Sequence, residues 1–213
     1  FKAVPRETFF APSRGKKKLH QSVETAIVVG PATEEVYTDA LGRIKIQFHW
    51  DRLGQYDDRS SCWVRVAQVW AGNGYGTMFI PRIGMEVVVD FLEGDPDQPI
   101  VTGCVYNGVN KPPYALPANA TRSTLKTLSS KGGGGTNELR FEDKKGSEEV
   151  FLQAEKDLNV NVKATRTESV GGDSNYMVKG DHRAKVTGSL LTFSESDFKN
   201  QSVGQLWNIS KGD

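Results

Sequence analysis

Three histidines (His20, His49, His182) and two cysteines (Cys62, Cys104) are the side chains whose types suit general-base work, thiolate chemistry or metal ligation. None of the histidines has a second His or a Cys at ligand spacing. In His49-Trp50-Asp51 the imidazole and carboxylate lie two residues apart and would share a face of a strand. A polar pair at a strand end is more simply read as solvated. His182 falls inside a repeat described below, so threefold association could gather three copies; its place between apolar anchors puts it on an outer face instead. No Gly-x-Ser-x-Gly elbow for an activated serine occurs. A lysozyme-type reaction needs two placed carboxylates in a helical domain, and no helical pattern is read. Gly132–Gly135 is not followed by the Lys-Ser/Thr of a phosphate loop and reads as linker. The expectation is no catalytic residue, no metal and no cofactor.

The charge balance excludes another class. Twenty-seven basic and 26 acidic residues leave a net charge of +1, where a dedicated nucleic-acid binder is clearly basic. The run Lys16-Lys17-Lys18 reads as solvated. Two cysteines in 213 residues are no disulfide framework. Both lie in apolar runs and are expected as small buried hydrophobes of a protein folded in a reducing compartment. No run approaches the ~18 apolar residues of a membrane-spanning helix. The opening FKAVPRETFF has no initiator Met and no leader pattern, and reads as the start of a piece of something longer.

Such residues as could act must be positioned by β structure. Residues 1–22, with Pro5, Pro12 and Gly15, read as a linker. Residues 23–106 read as five short strands: Val23–Gly30, Arg43–Trp50, Ser61–Val69, Glu86–Leu92 and Ile100–Tyr106. In the second, Ile44, Ile46 and Phe48 alternate with Lys45, Gln47 and His49, the period of a half-buried strand. In the third, Trp63, Arg65, Ala67 and Val69 fall on one face and Cys62, Val64 and Val66 on the other. Turn chemistry at Asp51–Gly54, Gly72-Asn73-Gly74 and Gly94–Asp97 separates them. Five strands without a helical pattern predict a small closed barrel of the OB type. Such barrels often bind single strands by stacking bases on aromatics. Trp50, Trp63, Trp70, Tyr75 and Phe79 keep nucleic-acid binding as an alternative, although Trp63 at mid-strand reads as core. Residues 107–136, with Pro112, Pro113, Pro117 and the glycine run, read as a second linker.

Residues 137–213 carry a repeat. Val162, Val170, Val178 and Val186 are spaced by eight, and Gly172, Gly180 and Gly188 follow the last three at a distance of two. A fixed period implies stacked units. One valine per eight residues, helped weakly by Val160, Tyr176 and Ala184, cannot fill a single-chain solenoid. Three intertwined chains solve the problem: each supplies one side of a triangular β-helical prism, and three valines meet on the axis at each level. The glycines permit tight corners, and closure removes strand edges. The pattern ends after Gly188, since position 194 is Ser; Phe198, Val203, Leu206, Trp207 and Ile209 return without the period, which reads as a shaft end that changes geometry or as sequence whose shaft continues beyond this stretch.

At this point the sequence resembles a known family. FHWDRLG (48–54), SSCWVRVAQVWAG (60–72), FIPRIGMEVVVDFLEGDPDQPIVTG (79–103), VYNGVNKPPY (105–114), NELRFEDKKGSEEVFLQAEKDLN (137–159) and the octads all resemble VgrG, the spike of type VI secretion systems. VgrG is in turn similar to the central tail spike of contractile phages. The resemblance covers about residues 20–190. It implies an OB-fold followed by a trimeric β-helix, attached to a larger N-terminal hub. It implies the Hcp tube, a PAAR-repeat tip protein and cargo effectors as partners, and transient contact with a target membrane. It further implies assembly in the bacterial cytoplasm and export through the type VI machine. Some members carry an enzymatic C-terminal extension. The expected function is therefore a non-enzymatic puncturing spike, with a carrier of a missing enzyme domain as the alternative.

Overall fold

The computed structural model describes Ala3, Pro5, Glu7, Gly15 and residues 19–204. Most of the expected 1–22 linker, including Lys16–Lys18, lies outside the described residues, as do Leu206, Trp207 and Ile209. The chain is all-β, and its contacts divide it after Asn159 into two units.

In the first unit, five strands form a barrel: β1 (Glu24–Val29), β2 (Lys45–Phe48), β3 (Arg65–Val66), β4 (Glu86–Phe91) and β5 (Pro99–Val105). β1 pairs antiparallel with β2 and β4, β4 pairs antiparallel with β5, and β3 lies parallel to β5. A single bridge between Ile44 and Val64, with reciprocal N–H···O bonds of 2.9 and 2.8 Å, joins β2 to β3. Through that one bridge the ring runs β1-β2-β3-β5-β4 and back to β1, the strand order of an OB-fold. A bulge between Val88 and Val89 bends β4 round the core.

The core follows the alternation read in the sequence. Ala26, Val28, Ile44, Ile46, Val64, Val87, Val89 and Val101 are fully enclosed, with Phe91 at the rim and Phe48, Val66 and Ile80 packed against them. Four residues depart from expectation. Gln47, on the polar face of β2, is also fully buried, because its carboxamide organises the loop beyond the strand. Oε1 accepts from the Tyr56 N–H (2.8 Å) and the Ser60 hydroxyl (2.9 Å), and Nε2 donates to the Asp51 carbonyl (3.2 Å). Gly54 is required beside it, since a Cβ there would collide with that carboxamide.

Cys62 and Cys104 are exposed, not buried. Cys104 lies where β5 runs past the core, three residues beyond the enclosed Val101, and Cys62 precedes the short β3. Burial of part of its surface still pushes the Cys104 thiol up from its ordinary pKa. Trp63 is half-buried outside the core, tilted against Tyr37 at 5.0 Å, with the Lys45 ammonium 4.9 Å from its ring centroid.

The segment 107–136, read as linker, carries a strand. β6 (Arg122–Lys126) pairs antiparallel with β7 (Glu138–Glu142), which pairs antiparallel with β8 (Glu149–Gln153). Only Leu125 is apolar in β6, so no period betrays it; the pairing to β7 makes it a strand. The connection is also tied to the barrel. Glu35 accepts from the Ser130 hydroxyl (2.8 Å) and the Gly132 N–H (2.7 Å), and Lys131 reaches Glu34 and the Thr33 carbonyl. The Ser130 and Gly132 bonds hold the Glu35 carboxyl below its ordinary pKa.

The second unit begins at Val160. Among its described residues there is no strand and no backbone–backbone hydrogen bond within the chain. What it has is a regular succession of bends at 163–164, 171–172, 179–180, 187–188, 195–196 and 203–204.

Candidate interaction surface

The side chains with the chemistry for a reactive site do not converge. His20 sits 3.0 Å from both the Ser22 hydroxyl and Glu24. His49 reaches the Thr25 hydroxyl at 3.1 Å and lies 3.8 Å from Glu86. His182 meets the Tyr176 hydroxyl at 3.3 Å. Each histidine thus has a neutral or single acidic neighbour. Among the described residues no group of three His, Cys, Asp or Glu is placed to hold a metal. The aromatic set is dispersed as well. Trp50 stacks on Phe48 and donates to Glu24 (2.9 Å), while Trp70 and Tyr75 pair edge-to-face across a tight hairpin. That hairpin needs Gly76, whose φ is +140° and whose Cβ would strike the Trp70 carbonyl.

What the chain does present is unsatisfied surface. From Val160 to Gly204 every described residue is exposed. Val162, Val170, Val178 and Val186 are 47, 49, 40 and 50 % exposed, the least among the large apolar side chains of this stretch. Met177, Leu191 and Phe193 exceed 85 %. The octad valines are therefore the most sheltered large apolar side chains of the stretch, yet all four remain exposed.

The bends fall at or beside the octad glycines. Gly172, Gly180 and Gly188 have no positive φ, and a Cβ at any of them would touch nothing within 4 Å. Neither conformation nor space within one chain calls for glycine there. The pattern also does not end at Gly188. The bends continue with unchanged spacing to Gly204, which lies sixteen residues on, in the glycine register. The valine register gives way to Ser194 and Ser202, while Leu190 and Phe198, themselves eight apart, fall in another register. That signal was present in the sequence, but in a register that the valines do not follow.

The two parts of the chain match two family models. Residues 25–106 match the type VI secretion system/phage-baseplate injector OB domain. Residues 123–203 match the bacteriophage T4 gp5 C-terminal trimerisation domain. The spike protein VgrG4b of Pseudomonas aeruginosa is 54 % identical over 183 residues, covering 85 % of this chain. The chain belongs to the VgrG spike family. VgrG5 of the same organism is 55 % identical over 182 residues, again 85 % of this chain. The actin cross-linking toxin VgrG1 of Vibrio cholerae is 47 % identical over 166 residues, or 78 % of the chain. These stretches are 22, 23 and 15 % of the relatives, so the chain spans about a fifth of the length of VgrG4b and VgrG5. The VgrG matches run through both the barrel and the octads, the two features that composition and periodicity pick out.

Proposed function

We propose that this chain is the barrel-and-shaft part of a trimeric puncturing spike of a type VI secretion machine. The observation that carries the reading is the state of residues 160–204. Their backbone makes no hydrogen bond to itself among the described residues, yet bends every eight residues and carries one valine per repeat from Val162 to Val186. Backbone donors and acceptors removed from water must be paired. In three intertwined chains the pairs come from the neighbours, and the octad valines Val162, Val170, Val178 and Val186 meet on the axis. The match of residues 123–203 to a trimerisation domain supports this. Gly172, Gly180 and Gly188, which nothing in a single chain requires, are then the corners where neighbouring backbones approach.

The action is mechanical. A contractile sheath supplies force, the spike concentrates it on a narrow tip, and interchain hydrogen bonds resist buckling. No residue of this stretch does bond chemistry, and no cofactor or metal takes part. The partners are two further copies of the chain, the Hcp tube, a PAAR-repeat tip protein and effectors, with passing contact to the target membrane. Assembly takes place in the bacterial cytoplasm and export through the machine itself. A second reading, a carrier whose enzymatic extension lies outside this stretch, is favoured by one observation: the related VgrG1 is named an actin cross-linking toxin.

Sedimentation equilibrium at micromolar concentration tests the reading. A trimer mass is expected; a monomer overturns it.

A further inference from the structure

Beyond Val101 one edge of β5 is open. β5 pairs with β4 from Pro99 to Val105, but β3 reaches it only at Ile100 and Val101, where the Ala67 N–H also bonds the Val101 carbonyl (2.8 Å). Among the described residues, Thr102–Val105 therefore have a strand on the β4 side alone, and an edge of this kind takes up a further strand readily. Cys104 and Val105, at that end, also line a groove of about 850 Å³. Its wall is apolar: Met78, Phe79, Tyr106 and Val109 are each more than half exposed, and Met85 adds to them. Two cations border the wall. Among the described residues neither the Arg82 guanidinium nor the Lys111 ammonium has a hydrogen-bond or ion-pair partner, and Arg82 acts on Glu35 only at long range. Lys126, the third cation of the groove, is already engaged: with Arg122 and Arg140 it surrounds the Tyr114 ring, the three at 5.4, 4.9 and 5.8 Å from the centroid, and it lies 3.5 Å from Glu138. Glu86, the carboxylate of the groove, accepts from Asn107 Nδ2 at 2.6 Å. An exposed apolar surface rimmed by free charge marks a place where another molecule packs.

We infer that this groove docks an extended peptide segment of a second protein, rich in apolar and acidic residues, which joins β5 as an added strand. Main-chain hydrogen bonds to the open edge hold such a segment, and side-chain contacts select it. Its apolar side chains lie on the wall of Met78, Phe79 and Tyr106, and its carboxylates meet Arg82 and Lys111. The three features ask for one ligand. A fatty acyl anion would satisfy the wall and the cations but leave the backbone edge unpaired. A nucleic-acid strand would satisfy the cations but not the wall. A peptide with acidic and apolar side chains answers all three, and complementary charge adds specificity to it. Met78 and Met85, unbranched and polarizable, let the wall fit side chains of differing shape. The inference goes beyond the trimeric reading and does not depend on it: its observations come from the barrel and the connection beside it, and its occupant is a different molecule.

The test uses the full chain and a fluorescein-labelled octapeptide in which valine and glutamate alternate, read by fluorescence anisotropy. Saturable binding is expected. It should weaken roughly tenfold or more when Arg82→Glu is combined with Lys111→Glu, when lysine replaces the glutamates of the peptide, and when alternate peptide amides are N-methylated, which removes ladder donors without changing charge. The two peptide changes need no altered protein, so a double variant that fails to fold does not decide the matter. In a Cys62→Ser chain the bound peptide should also slow the reaction of Cys104 with a maleimide, roughly tenfold at saturation. Absence of saturable binding, binding indifferent to charge reversal or N-methylation, an unprotected Cys104, or binding of oleate or oligothymidylate with none of the peptide overturns the inference. Sedimentation of the same sample keeps the two readings apart: a monomer that binds the peptide overturns the trimer and supports the groove, and a trimer that does not bind it does the reverse.

Discussion

Tyr114 donates its phenolic hydrogen to Glu138, a carboxylate whose side chain is only 3 % exposed. Thr124 donates to the same group at 3.0 Å, and Lys126 and Arg140 stand 3.5 and 3.9 Å away. Arg140 in turn lies over the Phe151 ring at 4.3 Å and binds Glu149 at 2.7 Å. One tyrosine of the connection thus secures the charged side of the sheet.

Removing that hydroxyl tests the arrangement. Tyr114→Phe keeps the ring beneath its three cations but leaves a buried carboxylate short of a donor. The expected loss is about 1–3 kcal/mol, read as a lower thermal midpoint. Retention of the parent midpoint would show that the pair is incidental.

Acid should weaken the same sheet. The Tyr114 hydrogen bond, foremost, holds the Glu138 carboxyl below its ordinary range, and Thr121 and then Arg122 bring Glu142 down to about 2. Both folded-state values lie under the unfolded value of about 4.3. Their stabilisation is therefore complete above that pH and is lost as pH falls through the folded values. Thermal midpoints should be flat from about pH 7 to 5 and fall between about 4 and 2, less steeply in Tyr114→Phe. A midpoint that rises on acidification contradicts the assignment.

In the barrel, Gln47→Leu should cost about 1–3 kcal/mol, because it strips the Tyr56 N–H and Ser60 hydroxyl of their acceptor. Gly54→Ala, colliding with the same carboxamide, should cost about as much. Urea midpoints of both variants decide whether this loop is held as described.

The octad register is open to a paired comparison. On the proposed axial assignment, Val178→Asp places three carboxylates close together in an apolar column and should cost several kcal/mol of trimer stability, on the order of a severe core lesion. Lys179→Asp, outward on the same assignment, should stay within about 0.5 kcal/mol. Thermal midpoints and elution on a sizing column give the answer. Equal behaviour, or greater damage from Lys179→Asp, would refute the axial assignment.

Residues 1–110 contain the whole barrel core together with the Asn107–Glu86 and Asn110–Gly84 bonds. Expressed alone, this stretch should keep its β circular dichroism and unfold cooperatively. A random-coil spectrum would show that the barrel depends on the ties from Ser130–Gly132.

The alternation of Ile44, Ile46 and Phe48, and the apolar runs of β1, β4 and β5, determine the barrel strands locally, because a half-buried strand needs one apolar residue in two. The eight-residue spacing of Val162 through Val186 likewise needs no coordinates to be seen, and by itself it demands more than one chain. Other features were decided only by tertiary structure. Gln47 is buried by a loop that folds back to it, and Cys104 is exposed because β5 outruns the core. β6 is a strand because β7 lies beside it. The Tyr114–Glu138 pair joins residues 24 positions apart, and the apolar face of Leu125, Leu139 and Leu152 exists only once three strands are in register. Periodicity reports what a strand or turn needs from its own residues; register and closure depend on which distant segment arrives opposite.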